Sequence, residues 1–91
     1  MKLYKLDYND NIIELTIIKS TPKILTYIEP DMTYPYKIRK SVIGTVSQKD
    51  VYSQIATSPQ ELKKLISMFF DLCIEAIEED KKSLLAKLDN Y

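Results

Sequence analysis

Ser58-Pro59-Gln60-Glu61-Leu62-Lys63-Lys64-Leu65-Ile66 opens a run that reaches Leu88 without a glycine or another proline, and this run decides the fold. Ser58 is placed to accept a hydrogen bond from the Glu61 amide, and the Glu61 carboxylate can reach back to the Ser58 amide. Pro59 falls at the first helical position, where a missing N–H is harmless. Good helix formers fill most of the remainder, so a helix is predicted over residues 59–88. At one turn per 3.6 residues, Leu62, Leu65, Ile66, Phe69, Cys73, Ala76 and Ile77 fall in a stripe roughly 100° wide. That width predicts a face packed on a core rather than a narrow coiled-coil seam. Lys64, Asp71, Glu75, Glu78 and Lys82 lie opposite and are expected in water.

Asp80 interrupts the stripe inside Glu78-Glu79-Asp80-Lys81-Lys82, and Leu84, Leu85 and Leu88 then resume it. Thirty helical residues span about 45 Å, whereas a compact chain of this length has a radius of gyration of about 12–13 Å. The helix is therefore expected to outrun its own domain and to leave the core close to Asp80. Leu84, Leu85 and Leu88 would sit on the overhang. The alternative is a helix that bends at the charge run and folds back.

Upstream of Ser58 the pattern is extended. Leu3-Tyr4-Lys5-Leu6-Asp7-Tyr8 alternates, Asn9-Asp10-Asn11 breaks it, and the β-branched run from Ile12 to Lys19 completes a hairpin. Ser20-Thr21-Pro22-Lys23 forms the next turn. In the strand that follows, Ile24, Thr26 and Ile28 face one way, and Leu25 and Tyr27 the other. Glu29 to Pro35 carries two prolines and reads as a loop. Further strands are expected over 36–46, with Gly44 marking a bulge or a close backbone approach, and over 51–56. Strands at about 3–8, 12–19, 23–29, 36–46 and 51–56 followed by one helix describe a single α+β domain over residues 1–91. It is an antiparallel meander of four to five strands with a long C-terminal helix packed against it.

Composition narrows the classes of function. Thirteen basic and thirteen acidic side chains balance over 91 residues, so no overall charge selects a polyanion. No apolar run approaches membrane-spanning length, and the start at Met1-Lys2-Leu3 has no continuous apolar core of the signal-peptide kind. The single Cys73 sits on the apolar stripe, which excludes a disulfide framework. A cytoplasmic protein without membrane contact is expected. Histidine is absent and there is one glycine, removing the commonest general base and any glycine-rich phosphate loop. The carboxylates are scattered over turns and helix surface. Neither an enzyme nor a cofactor or metal site is expected.

Three constellations remain. Tyr34, Tyr36, Lys37, Arg39 and Lys40 interleave aromatic and basic side chains, the ingredients of a stacking platform for single-stranded nucleic acid, though also of a protected sheet edge. Asp71, Glu75, Glu78 and Glu79 form an acidic helix face that could dock on a basic groove of another protein; the plainer reading is a solvated face. Met68, Phe70 and Ile74, with Leu84, Leu85 and Leu88, would make a large apolar patch if exposed together. Leu84, Leu85 and Leu88 are the candidates for self-association as a homo-oligomer.

The segment Tyr36-Lys-Ile-Arg-Lys-Ser-Val-Ile-Gly-Thr-Val46, followed by a Lys/Glu-rich terminal helix, resembles small uncharacterised accessory proteins of Gram-positive phages and mobile elements. The resemblance is one of pattern over residues 24–88. It implies a non-enzymatic protein that binds a host protein, including as an inhibitor of a bacterial defence system, inside the bacterial host. A small nucleic-acid-binding regulator is the alternative.

Overall fold

The computed structural model describes residues 1–89. Four strands, β1 (Leu3–Leu6), β2 (Ile12–Ser20), β3 (Ile24–Ile28) and β4 (Tyr36–Arg39), precede one helix, α1 (Pro59–Leu88). The strands form one antiparallel sheet in the order β1-β2-β3-β4, a meander. This is the α+β architecture read from the sequence.

The turns follow from local chemistry. The Asp7 carboxylate accepts hydrogen bonds from the Asn9 and Asn11 amides, both at 2.9 Å, closing the first hairpin. Asp10 takes a left-handed backbone there (φ 65°), which a short polar side chain tolerates. Thr21 closes the second hairpin: its amide donates to the Ile24 carbonyl at 2.8 Å, and its hydroxyl accepts from the Ile24 amide at 3.0 Å.

Register places Leu3, Ile13, Leu15, Ile17, Leu25, Tyr27 and Ile38 on one face of the sheet. Ile43 and Ile55, from the segment joining β4 to α1, cover that face and complete the main core. Two stretches expected as strand do this covering in another form. The strand from Tyr36 stops at Arg39, not at Val46, and passes into a 3-10 turn at Lys40–Val42. Residues 51–56 form a second 3-10 turn, Val51–Ser53, and then a lone antiparallel bridge from Ala56 to Tyr4.

Gln54 explains the second departure. Its side chain is fully buried, donates to the Ser47 and Asp50 carbonyls at 2.7 and 2.9 Å, and accepts from the Ser47 amide at 2.8 Å. The backbone wraps around this amide instead of extending. Gly44 is the close approach foreseen: its φ is 79°, and an added Cβ would lie 2.9 Å from Glu61 Oε1.

The helix starts as predicted, with Ser58 Oγ accepting from the Glu61 amide at 3.1 Å. The Glu61 carboxylate reaches one residue further out than expected, to the Thr57 amide at 3.4 Å. Its docking also differs. Rather than lying across the sheet, α1 packs at the β1 edge, chiefly against β1 and the Val51–Ser53 turn. Leu62 and Leu65 are buried there with Ala56, beside Tyr4, Ile12, Val46 and Ile66.

Candidate interaction surfaces

Because α1 meets only an edge, its contact with the body is short. Phe69, Leu72 and Cys73 remain half-buried around a hollow of about 190 Å³ shared with Gln48 and Ala76. Every described residue from Ile74 to Asp89 is exposed. The helix neither bends nor folds back, and the molecule measures 59 × 28 × 24 Å with a radius of gyration of 17.2 Å. The overhang therefore begins near Ile74, about two turns before the Asp80 departure point expected from the sequence. Ala76 and Ile77, assigned to the core stripe, stand in solvent with it.

The exposed apolar side chains on α1 are regularly spaced. Phe70, Ile77 and Leu84 recur every seven residues, and so do Ile74, Lys81 and Leu88, offset by four. The apolar members are 52–66% exposed: Phe70 52%, Ile74 54%, Ile77 66%, Leu84 58% and Leu88 54%. Spacings of four and three are the a/d pattern of a coiled-coil seam. At 100° per residue this line runs roughly 100° around the helix from Leu62, Leu65 and Phe69, which hold the body. One helix thus carries two apolar stripes, one docked and one bare. Leu85 is also exposed, beside the seam. Phe70 and Ile74 are exposed together with Leu84, Leu85 and Leu88, as the patch expected from the sequence requires; Ile77, expected in the core stripe, joins them, and the seven-residue repeat is the signal that sets it there.

The acidic residues lie on the same protruding segment. Asp71, Glu75, Glu78 and Glu79 are all exposed, and none is in an ion pair among the described residues. From Asp71 to Asp80 the helix carries five carboxylates and no cation, and from Lys81 to Leu88 three lysines and no carboxylate.

The aromatic-basic constellation is divided by strand alternation. Tyr36 pairs with Tyr27 and Ile38 with Leu25, on the core-covered face. Tyr34 and Tyr36 meet edge to face at 5.4 Å between ring centroids, and Tyr36 stacks on Tyr27 at 5.7 Å. Burial, then the Glu29 carboxylate, then Tyr36, push the Tyr27 hydroxyl above its ordinary pKa. Lys37 and Arg39 project to the opposite face. There Lys37 lines up across β3 Thr26 with Lys19, and Arg39 lies opposite Ile24. Lys23, Arg39 and Lys40 line an open trough of about 640 Å³ at the sheet corner. The structure thus sets Lys37 and Arg39 with Lys19 on the face away from Tyr36, and Lys23 and Lys40 beside Arg39 at the corner, while Lys37 also borders a groove that holds Tyr8, Tyr27 and Tyr52.

The covered face bears a second groove, about 490 Å³, bounded by Lys5, Tyr8, Tyr27, Lys49, Tyr52 and neighbouring residues. Lys5 is engaged there with Glu29 at 2.6 Å. Tyr52 packs on Tyr8 at 4.8 Å and donates to Asp10 at 3.3 Å, and the Asp10 carboxylate raises its pKa. Among the described residues, no cluster of three His, Cys, Asp or Glu side chains is arranged to hold a metal ion. No described helix is long and apolar enough to cross a membrane. Comparison with family models, with curated proteins and with solved structures finds no match for this chain.

Proposed function

We propose that this chain is a non-enzymatic protein-binding module that acts by occupying a partner's surface, and that it self-associates through its protruding helix. The observation that carries this reading is the bare apolar line from Phe70 to Leu88 on a helix whose every described residue from Ile74 onward is exposed. Residues 74–88 extend a helix anchored at Leu62 and Leu65 but bury nothing of their own, so they add little beyond intrinsic helix propensity and fray readily. A partner supplies what the body does not.

The magnitudes suit a reversible association. Fully burying a Leu, Ile or Phe side chain contributes about 1.5–3 kcal/mol, so covering five half-exposed ones yields about 1 kcal/mol apiece. Two copies would together gain about 10 kcal/mol against an association cost of about 4–15 kcal/mol. At the low end of that cost about 6 kcal/mol remains, which corresponds to a weak homo-oligomer with a Kd of roughly tens of micromolar. The acidic face of Asp71, Glu75, Glu78 and Glu79 suits a basic surface on a host protein, the kind of target that the resemblance to phage accessory proteins implies, a bacterial defence component among them. A cytoplasmic setting belongs to the same reading.

Light scattering behind a sizing column tests it. The wild-type chain is expected to run heavier than a monomer, and Leu84→Glu with Leu88→Glu to reduce it to one while leaving the sheet folded. An unchanged mass would remove these leucines from self-association.

A second reading, a nucleic-acid-binding regulator, draws on a different observation: Lys19, Lys37 and Arg39 share one face of the sheet, Lys23 and Lys40 line the trough at its corner with Arg39, and none of the five is in an ion pair among the described residues. Retention of single-stranded DNA that is lost at high salt, and abolished by Lys37→Glu with Arg39→Glu, would favour it. No retention at low salt would dismiss it.

A further inference from the structure

Self-association leaves the arrangement of the two helices open, and the charge and seam pattern narrow it. We infer that two copies of this chain join antiparallel along the bare seam, Phe70 of one against Leu88 of the other. The inference rests on the self-association proposed above and specifies its geometry.

Charge sets the direction. The segment from Asp71 to Asp80 carries five carboxylates and no cation; the segment from Lys81 to Leu88 carries three lysines and no carboxylate. A parallel pair would set each acidic segment beside its own copy. It would also put Lys81, at a seam position, directly against Lys81 of the second copy. In an antiparallel pair, residues 81–88 of each helix run along residues 70–77 of the other, which brings Lys82 and Lys87 toward Glu75 and Asp71. Glu78 and Asp80 of the two copies then meet about the axis with both Lys81 ammonium groups between them, and the opposed helix dipoles add to the preference.

The seam sets the register. Antiparallel helices interleave the two kinds of seam position, so each a residue meets a d residue. One alignment uses every member: Phe70 meets Leu88, Ile74 meets Leu84, and Ile77 meets Lys81, each twice by symmetry. The two-fold axis then passes beside Glu79. Lys81 rests its aliphatic stem on Ile77 of the second copy, and its ammonium can reach the flanking Glu78 and Asp80 carboxylates of that copy. The two lysines at the middle of the seam thereby become cross-helix links. The α+β bodies lie at opposite ends of the pair, clear of one another, because each leaves its helix before Ile74.

Distances between spin labels on the full chain test the arrangement. In a Cys73→Ser background, one label is placed through Lys82→Cys and, separately, one through Lys64→Cys; both sites are exposed and off the seam. The register predicts an axial offset of about 9 Å between copies at position 82 and about 45 Å at position 64, from 1.5 Å per residue. A parallel pair would give similarly short distances at both sites, which would overturn the inference and leave self-association standing. Dipolar coupling that survives Ile77→Glu would place the contact elsewhere on the molecule and overturn it too. No coupling at any concentration, with a monomer by mass, would overturn both the inference and the self-association beneath it. Ile77 is 66% exposed, so the glutamate should leave the circular dichroism of the body unchanged.

Discussion

The Glu61 carboxylate lies over Gly44, so near that a Cβ on the glycine would sit 2.9 Å from Oε1. Gly44 also donates its amide to the Ile55 carbonyl at 2.8 Å. One contact thus ties the first turn of α1 to the segment that covers the sheet, and the long helix takes its direction from this short anchor. Gly44→Ala should lower stability by about 1–2 kcal/mol, the cost of a left-handed backbone for an ordinary residue, as read from urea unfolding. Glu61 can swing aside and adds little. Gly44→Asn should lose less, since asparagine tolerates that conformation.

Gln54 holds the chain around it more firmly. Gln54→Ala removes three hydrogen bonds from a buried site and leaves the Ser47 amide and two carbonyls without that partner. The expected loss is about 2–4 kcal/mol, given about 1–3 kcal/mol for each buried polar group left unsatisfied. Gln54→Glu should be at least as damaging, because its carboxylate would face the Ser47 and Asp50 carbonyl oxygens. Denaturation midpoints for the two variants check both statements.

Tyr27 makes the fold sensitive to alkali. Burial, with Glu29 and Tyr36 nearby, raises its pKa in the folded chain above the ordinary 10.0. The fold therefore favours the neutral phenol. Its contribution is complete below pH 10 and is lost as the pH climbs through the raised value. Unfolding free energy measured from pH 8 upward should fall beyond pH 10, and Tyr27→Phe should shrink that fall.

Lys5 and Glu29 form an ion pair whose side chains keep 13% and 20% of their exposure. Removing one partner strands the other in a poorly hydrated place, so Lys5→Met or Glu29→Gln alone should each destabilise by about 1–3 kcal/mol, less than the 3–5 kcal/mol of a fully buried pair. The double variant should lose less than the two single losses together. Strict additivity in this double-mutant cycle would mean the pair contributes nothing as a pair.

Much of this architecture was legible in the residues. Alternation in Ile24–Ile28 separated the core-facing Leu25 and Tyr27 correctly, and Ser58-Pro59-Gln60-Glu61 marked the start of the helix. What misled was the assumption that a broad apolar stripe must meet a broad sheet. The stripe continues through Ala76 and Ile77, but Leu62 and Leu65 meet the sheet only at its β1 end, beside Tyr4 and Ile12 on the face opposite Leu3 and Leu15, and the helix soon runs out of body. Residues 51–56 looked like a strand because Val51 and Ile55 alternate with polar residues. The buried amide of Gln54 outweighs that preference, and no local pattern announces it. At the candidate sites, Leu84 and Leu88 were visible as overhang residues. The interleaving of Tyr36 with Lys37 and Arg39 suggested one mixed surface, where the period of two along a strand puts them on opposite faces.

Hydrogen exchange at increasing protein concentration tests the protruding helix as an interaction element most directly. Residues 77–88 stand clear of the body, so in a monomer their amides should exchange faster than those of β2 and β3, as a fraying helix end does. The account predicts that their protection rises with concentration while that of β2 and β3 stays constant, and that Ile77→Glu abolishes the rise. Protection of residues 77–88 that is the same at every concentration would contradict it.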